Sequence, residues 1–270
     1  MELSLIQEYA LKIMTAFEDG SHIELISDSY PDLDMKDAYR IAEEIEKQRL
    51  LQDEKIVGVK IGFTNRNIWD EYNATAPMVG AMYDTTVLPL ESGLSIQKFL
   101  EPRIEPEIIF KLSEVPDSNM GDYELLGCIS SIAHGFEVVH SIFKGWNFKM
   151  VDTIAAFGLH GALLHGPFHE VFETDRNLWL KELSTFNINL SLNGEVVDQG
   201  TASNVLGCGP LEALRHILNY EKNIGHSVIL KPGDIVTTGT LTGAHPIGVN
   251  QNWSTEITGI NLEGASVKFY

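Results

Sequence analysis

With 270 residues, 44% of them apolar and 21% charged, the chain can bury a sizeable core without disulfides or a structural zinc. A net charge of −19 repels nucleic acid and anionic membranes, so neither is an expected partner, and an anionic substrate would need compensation from a metal or a lysine. The only cysteines, Cys128 and Cys208, lie far apart with no C-x-x-C spacing, which excludes a disulfide scaffold and fits a reducing compartment.

The N-terminus lacks the basic start and apolar run of a secretory signal. No stretch approaches the ~18–20 apolar residues of a membrane span, so a soluble, cytoplasmic protein is expected. Residues 3–18 place Leu3, Leu5, Ile6, Tyr9, Ala10, Ile13, Met14 and Phe17 at helical spacing. After a loop containing Gly20, Asp28, Ser29 and Pro31, Asp34 can cap a second helix over residues 35–51. Its predicted buried stripe is Ala38, Tyr39, Ile41, Ala42, Ile45 and Leu50, and its predicted solvated face is Glu43, Glu44, Glu46 and Lys47. Two helices alone cannot hide such stripes and must pack on the remainder of the chain.

Beyond residue 55 the pattern changes to short β-type runs between turn residues. Ile56–Gly62 predicts a buried strand interrupted by Lys60, and Glu107–Leu112 and Phe136–Phe143 predict two more. Asn193-Gly194, inside the alternating run 188–197, is a strong hairpin signal. A helix is expected over residues 211–221 with Pro210 at its start. Lys231-Pro232-Gly233-Asp234 is a turn feeding a strand over 235–238, and Glu263-Gly264 closes a last hairpin ending in Ser266–Tyr270. The expected fold is α+β: a helical N-terminal section, residues 1–55, packed on a β-rich core, residues 56–270.

Chemistry concentrates in Arg103-Ile104-Glu105-Pro106-Glu107-Ile108-Ile109-Phe110. On a strand, Glu105 and Glu107 share one face with Cα atoms roughly 6.6–6.8 Å apart. Two carboxylates so placed repel unless they are solvated at an edge, protonated, or bridged by a cation. The apolar flanks disfavour a solvated edge, and an all-oxygen site suits magnesium or manganese better than zinc. Glu137, in Phe136-Glu137-Val138-Val139, is the best remaining third ligand, although alone it reads equally as a satisfied core glutamate. Lys60 either snorkels to solvent or is held near carboxylates or a substrate anion. Asp84 alone reads as a turn-forming aspartate. The nine histidines show no metal-binding spacing, and Walker, G-x-S-x-G and G-x-G-x-x-G motifs are absent.

In order and spacing, several segments together resemble the fumarylacetoacetate hydrolase superfamily. They are Asp37-Ala38-Tyr39, Val59-Lys60-Ile61-Gly62-Phe63-Thr64, Pro77-Met78-Val79-Gly80, residues 103–110, Phe136–Val139, Leu230–Ile235 and Gly239–Gly243. Within the superfamily they look most like the branch of 2-keto-4-pentenoate hydratases and 2-oxo-3-hexenedioate (4-oxalocrotonate) decarboxylases. The resemblance implies a β-rich core like that superfamily's C-terminal domain. It also implies a divalent metal, Mg2+ or Mn2+, on Glu105, Glu107 and Glu137, with Lys60 and Asp84 as catalytic residues and substrate contacts from Thr240 and Thr242.

The implied activity is a lyase acting on a 2-keto or 2-hydroxydienoic acid of aromatic meta-cleavage catabolism. Hydratase-type water addition leads, decarboxylation is the alternative, and a non-catalytic binding partner of a pathway enzyme is a further one. A homo-oligomer and a complex with a pathway enzyme are compatible partners. The superfamily's C–C hydrolases carry a water-activating His-Glu pair, and residues 56–73 contain no histidine, which argues against hydrolysis. One departure stands out: His140-Ser141-Ile142 occupies a place where the family often has acid-Ser-Arg, so the substrate's far end is open.

Overall fold

The computed structural model describes residues 1–72, 74–220 and 225–270, apart from the side chains of residues 71 and 72. Helix α1, Leu3–Asp19, buries Ile6, Tyr9, Ala10 and Ile13 and ends on the left-handed Gly20, whose N–H donates to the Ala16 carbonyl. A short helix α2, Ile26–Ser29, leads to α3, Met35–Leu51, which starts where the Asp34 carboxylate accepts from the Asp37 N–H at 2.8 Å. Ala38, Tyr39, Ile41, Ala42 and Ile45 are buried as predicted, while Leu50 is 48% exposed. The predicted solvated face is solvated only in part. Glu44 is buried and accepts from the Gln48 side chain at 3.0 Å. Burial, with Glu43 nearby, pushes the Glu46 carboxyl up to about 7.

The rest of the chain builds two sheets. The larger contains β1 (Ile56–Gly62), β2 (Met78–Tyr83), β3 (Val87–Pro89), β4 (Arg103–Leu112), β5 (Ile129–Val139), β6 (His160–His165) and the two-residue β7 (His169–Glu170). The smaller holds β8 (Asn187–Leu192) and β9 (Glu195–Thr201), joined by the Asn193-Gly194 turn, in which both residues have positive φ. Returning to the first sheet are β10 (Ile235–Thr237) and β11 (His245–Pro246), and the second is completed by β12 (Asn252–Thr258) and β13 (Ser266–Lys268). The strand orders are β2-β1-β10-β4-β5-β6-β3, with β11 on β4 and β7 on β5, and β13-β12-β8-β9. Helix α4 (Trp69–Tyr72) sits between β1 and β2, and α5 (Asp122–Gly127) between β4 and β5; α6 (Met150–Ala155), α7 (Arg176–Thr185) and α8 (Pro210–Leu218) complete the set among the described residues.

Most predicted elements are present, with shifted bounds. Helix α8 spans Pro210–Leu218, and the predicted end at residue 221 lies outside the described residues. The third predicted strand needs correction: β5 begins at Ile129 and stops at Val139, not Phe143. Ser130, Ser131, His134 and Gly135 hide its early alternation, and residues 140–143 turn, with the Ser141 hydroxyl donating to the Phe143 carbonyl at 2.7 Å.

Ile6, Ile13, Tyr39 and Ile45 of the helices join Val59, Ile108, Phe110, Ile132 and Val236 of the sheet in one buried cluster. Burying each such side chain is worth about 1.5–3 kcal/mol. Strand alternation then turns Lys60, Glu105, Glu107 and Thr237 to the opposite face of the sheet. No helix among the described residues is long and apolar enough to cross a membrane.

Candidate metal centre

The antiparallel pairing of β4 and β5 sets Glu105 directly opposite Glu137, with Glu107 two residues along on the same face. One carboxylate oxygen from each of Glu105, Glu107 and Glu137 lies within 4.8 Å of the other two. Neighbouring ligands of one magnesium lie about 3 Å apart and opposite ones about 4.2 Å, so the three carboxylates must draw together to share a single cation. Glu107 and Glu137 are fully buried and Glu105 partly so.

Lys60 reaches this face from β1, across β10, in register with Thr237. Its ammonium lies 3.2 Å from Glu137 Oε2 and donates to the Gly158 carbonyl at 3.1 Å. That carbonyl is presented by three consecutive left-handed residues, Phe157, Gly158 and Leu159, with φ of 41°, 71° and 56°. For two non-glycine residues this is strained backbone, on the order of 1–3 kcal/mol each. A side chain on Gly158 would lie 2.9 Å from Lys60 Cδ, so the turn and the lysine fit one another closely.

Burial works against charge throughout the cluster, and its members resolve the conflict differently. Burial pushes Glu105 up to about 7 despite Lys60, and pushes Glu107 well above the usual carboxylate range, reinforced by Glu137 and Glu105. For Glu137 burial is outweighed by Lys60 and by a hydrogen bond from His160, which hold it below that range. Lys60 is desolvated, yet Glu137, Glu105 and Glu107 together raise it, so the ammonium is charged.

The donor set fits a divalent cation. When all three carboxylates are ionised, as a bound cation requires, they face one ammonium and two negative charges are left for the ion to match. Glu107 Oε2 accepts from the Gly239 N–H at 2.8 Å, while Glu107 Oε1 is buried with no hydrogen-bond donor among the described residues. An ionised oxygen in that position needs a cation.

Beside the cluster lies a cavity of about 40 Å³. Lys60, Glu105 and Thr240 form its polar side, and Ile68, Met78, Val139, Phe148 and Leu159 form its apolar side. Lys60 is the only cation among its described lining residues.

The candidates read from sequence divide accordingly. The structure brings Glu105, Glu107, Glu137, Lys60 and Thr240 together. Thr242 is buried, but its hydroxyl donates to the Gly243 carbonyl at 2.9 Å, tying the loop to itself. Asp84 is not brought to the cluster. It is exposed after β2, where its carboxylate caps the Lys55 N–H at 3.0 Å, the turn role its local sequence suggested.

His140 faces away from the carboxylates. It stacks on Phe99, with ring centroids 4.4 Å apart, and accepts from the Leu100 N–H at 3.3 Å. Burial, with His160 nearby, pushes it down to about 3. Ile142 is fully buried in the core.

Three contributors escaped the sequence reading. His160 Nδ1 lies 2.8 Å from Glu137 Oε1, the Gly158 carbonyl holds Lys60, and buried His134 bonds the Glu107 carbonyl oxygen at 2.9 Å. Each contact spans distant parts of the chain, so only the tertiary structure reveals it.

No protein-family model matches the chain. It is 27% identical over 236 residues to a 2-keto-4-pentenoate hydratase of Paraburkholderia xenovorans, covering 87% of this chain and 84% of the relative. It is 25% identical over 272 residues to a 4-oxalocrotonate decarboxylase of Pseudomonas putida, covering 98% and 99%. Its fold matches the 4-oxalocrotonate decarboxylase of Pseudomonas putida G7, solved with magnesium and adipate, with a TM-score of 0.87 at 22% identity over 100% of this chain and 99% of that one. The curated homologues are thus hydratases and decarboxylases, both lyases.

Proposed function

We propose that this homologue of the 2-keto-4-pentenoate hydratases and 4-oxalocrotonate decarboxylases is a divalent-metal-dependent lyase that adds water to a 2-hydroxydienoate with an uncharged tail. Glu105, Glu107 and Glu137 hold the ion, and Lys60 is the catalytic residue beside it. A bound Mg2+ or Mn2+ would supply the positive charge that the carboxylate and 2-oxygen of an α-keto acid need. This resolves how a protein of net charge −19 accepts an anionic substrate.

The chain's own groups account for the rest. Lys60, charged and fixed by Glu137 and Gly158, can hold the substrate's carboxylate end or carry the proton exchanged at C3 and C5 as the dienol becomes the keto form. Ketonisation leaves an unsaturated bond to which water adds at C4. Thr240 supplies a polar edge, while Ile68, Phe148 and Leu159 exclude bulk water from the tail.

The observation that favours hydration over decarboxylation is the cavity's charge. A dicarboxylate would place a second anion against the apolar side, where none of the cavity's described lining residues carries a cation and the nearby Arg103 is stacked over the Trp146 ring, 4.5 Å from its centroid. The Ile142 side chain, fully buried in the core, does not replace one.

The test is turnover by the purified chain with magnesium. It should consume the conjugated absorbance of 2-hydroxypenta-2,4-dienoate without releasing carbon dioxide. Carbon dioxide from 2-oxo-3-hexenedioate would select the decarboxylase reading. No loss with either substrate would leave a binding protein. Leu11 and Leu51, exposed on the helical face, support a homo-oligomer, which light scattering would measure.

A further inference from the structure

The two oxygens of the Glu137 carboxylate face different partners, an ion pair at Oε2 and a hydrogen bond at Oε1. Lys60 lies 3.2 Å from Oε2, and His160 Nδ1 lies 2.8 Å from Oε1. An ionised carboxylate only accepts, so Nδ1 carries the proton of the His160 ring. A neutral ring then offers Nε2 as an acceptor, and the Thr86 hydroxyl lies 3.0 Å from it and 3.0 Å from the Tyr83 carbonyl, so its one proton is shared between these two acceptors.

That hydroxyl is itself fixed by the turn after β2. The Tyr83 N–H donates to Thr86 Oγ1 at 3.2 Å, and the Thr86 N–H donates to the Tyr83 carbonyl at 2.9 Å. Neither Thr86 nor His160 lines the cavity beside Lys60. They border a separate cavity of about 240 Å³, together with Phe17, Arg49 and His140. His160 therefore stands behind Glu137 and not among the substrate contacts, and its side chain is fully buried.

We propose that Thr86 and His160 form a positioning relay that fixes the Glu137 carboxylate, keeping Oε2 turned toward the cation and Lys60. The relay deepens the metal-site reading and rests on Glu137 being a ligand. Without it, the carboxylate can rotate about its Cγ–Cδ bond and lose the orientation that suits the ion.

Calorimetry of Mn2+ binding by the full chain, freed of metal beforehand, tests the relay without relying on turnover. His160→Ala should weaken binding by about 10–100-fold, the usual cost of losing a partner that orients a ligand. His160→Asn can replace the Nδ1–H with its amide N–H and should restore most of that loss. Thr86→Val should also weaken binding, and Thr86→Ser should recover it. Parent-like affinity in His160→Ala, or equal weakening by His160→Ala and His160→Asn, would overturn the relay. If His160→Ala fails to fold, equal affinities for Thr86→Val, Thr86→Ser and the parent would overturn it instead. Glu137→Gln separates the two layers: parent-like binding there would remove the ligand assignment itself.

Discussion

Lys60→Met removes the one ammonium facing three buried carboxylates while keeping much of the side chain's shape. In the parent that ammonium lies 3.2 Å from Glu137 Oε2, and its charge is sustained by Glu137, Glu105 and Glu107. Removing one partner of a buried ion pair costs about 3–5 kcal/mol, because the remaining charge is left uncompensated. For a chain of this size each kcal/mol shifts the midpoint by about 2–4 °C, so the metal-free variant should melt roughly 6–20 °C below the parent.

Magnesium should narrow the gap. The variant's site carries one more unmatched negative charge and should bind the ion at least as tightly as the parent. At a hundredfold excess over Kd, an ion bound only by the folded state adds about 2.7 kcal/mol. Scanning calorimetry of parent and variant, each in chelator and in magnesium, reads all four states, and a parallel assay should show turnover lost in the variant. The reasoning is refuted if Lys60→Met melts with the parent in chelator, or if it binds magnesium more weakly.

Other contacts carry their own expected outcomes. His134 is buried and pushed down to about 4, so the unfolded chain, titrating near 6.5, binds a proton that the folded chain refuses. Stability from this residue is intact above about pH 6.5 and falls as pH drops toward 4, by about 3 kcal/mol at most. Urea unfolding between pH 7 and 4.5 should therefore show a shallower loss for His134→Asn than for the parent, and parallel slopes would contradict this. Gly239 has φ of 89°, and a side chain there would lie 1.9 Å from Thr64 Oγ1. Gly239→Ala should cost about 3 kcal/mol in chemical denaturation and weaken magnesium binding, since the N–H that holds Glu107 must move. Glu107→Gln replaces a carboxyl that burial already drives toward its neutral form, so the metal-free variant should be about as stable as the parent while losing the ion; markedly lower stability in chelator would count against the site's electrostatics.

How much of the fold and site is legible in the sequence depends on the range of the interaction. The E-x-E spacing defines one sheet face by itself, and helix α3 announces its bounds through Asp34 and its periodic stripe. Strand β5 is half hidden, because Ser130, Ser131, His134 and Gly135 break the apolar alternation that marks a strand. Glu44 looks solvated in sequence because helical periodicity does not report how widely the neighbouring elements wrap a face. Asp84 enters the site only through the family pattern, whereas its local turn chemistry indicates where it lies. His160 carries no usable signal: its partner is 23 residues away, and only the pairing of β5 with β6 brings them together.

The central question is whether turnover needs an ion held by these three glutamates. The decisive measurement is loss of 2-hydroxypenta-2,4-dienoate absorbance by chelator-treated protein as magnesium is added back, in the parent and in Glu107→Gln. A metal centre on these glutamates gives no turnover without metal, saturable recovery in the parent and none in the variant at the same magnesium concentrations. Turnover that persists in chelator, or recovers equally in Glu107→Gln, would contradict it.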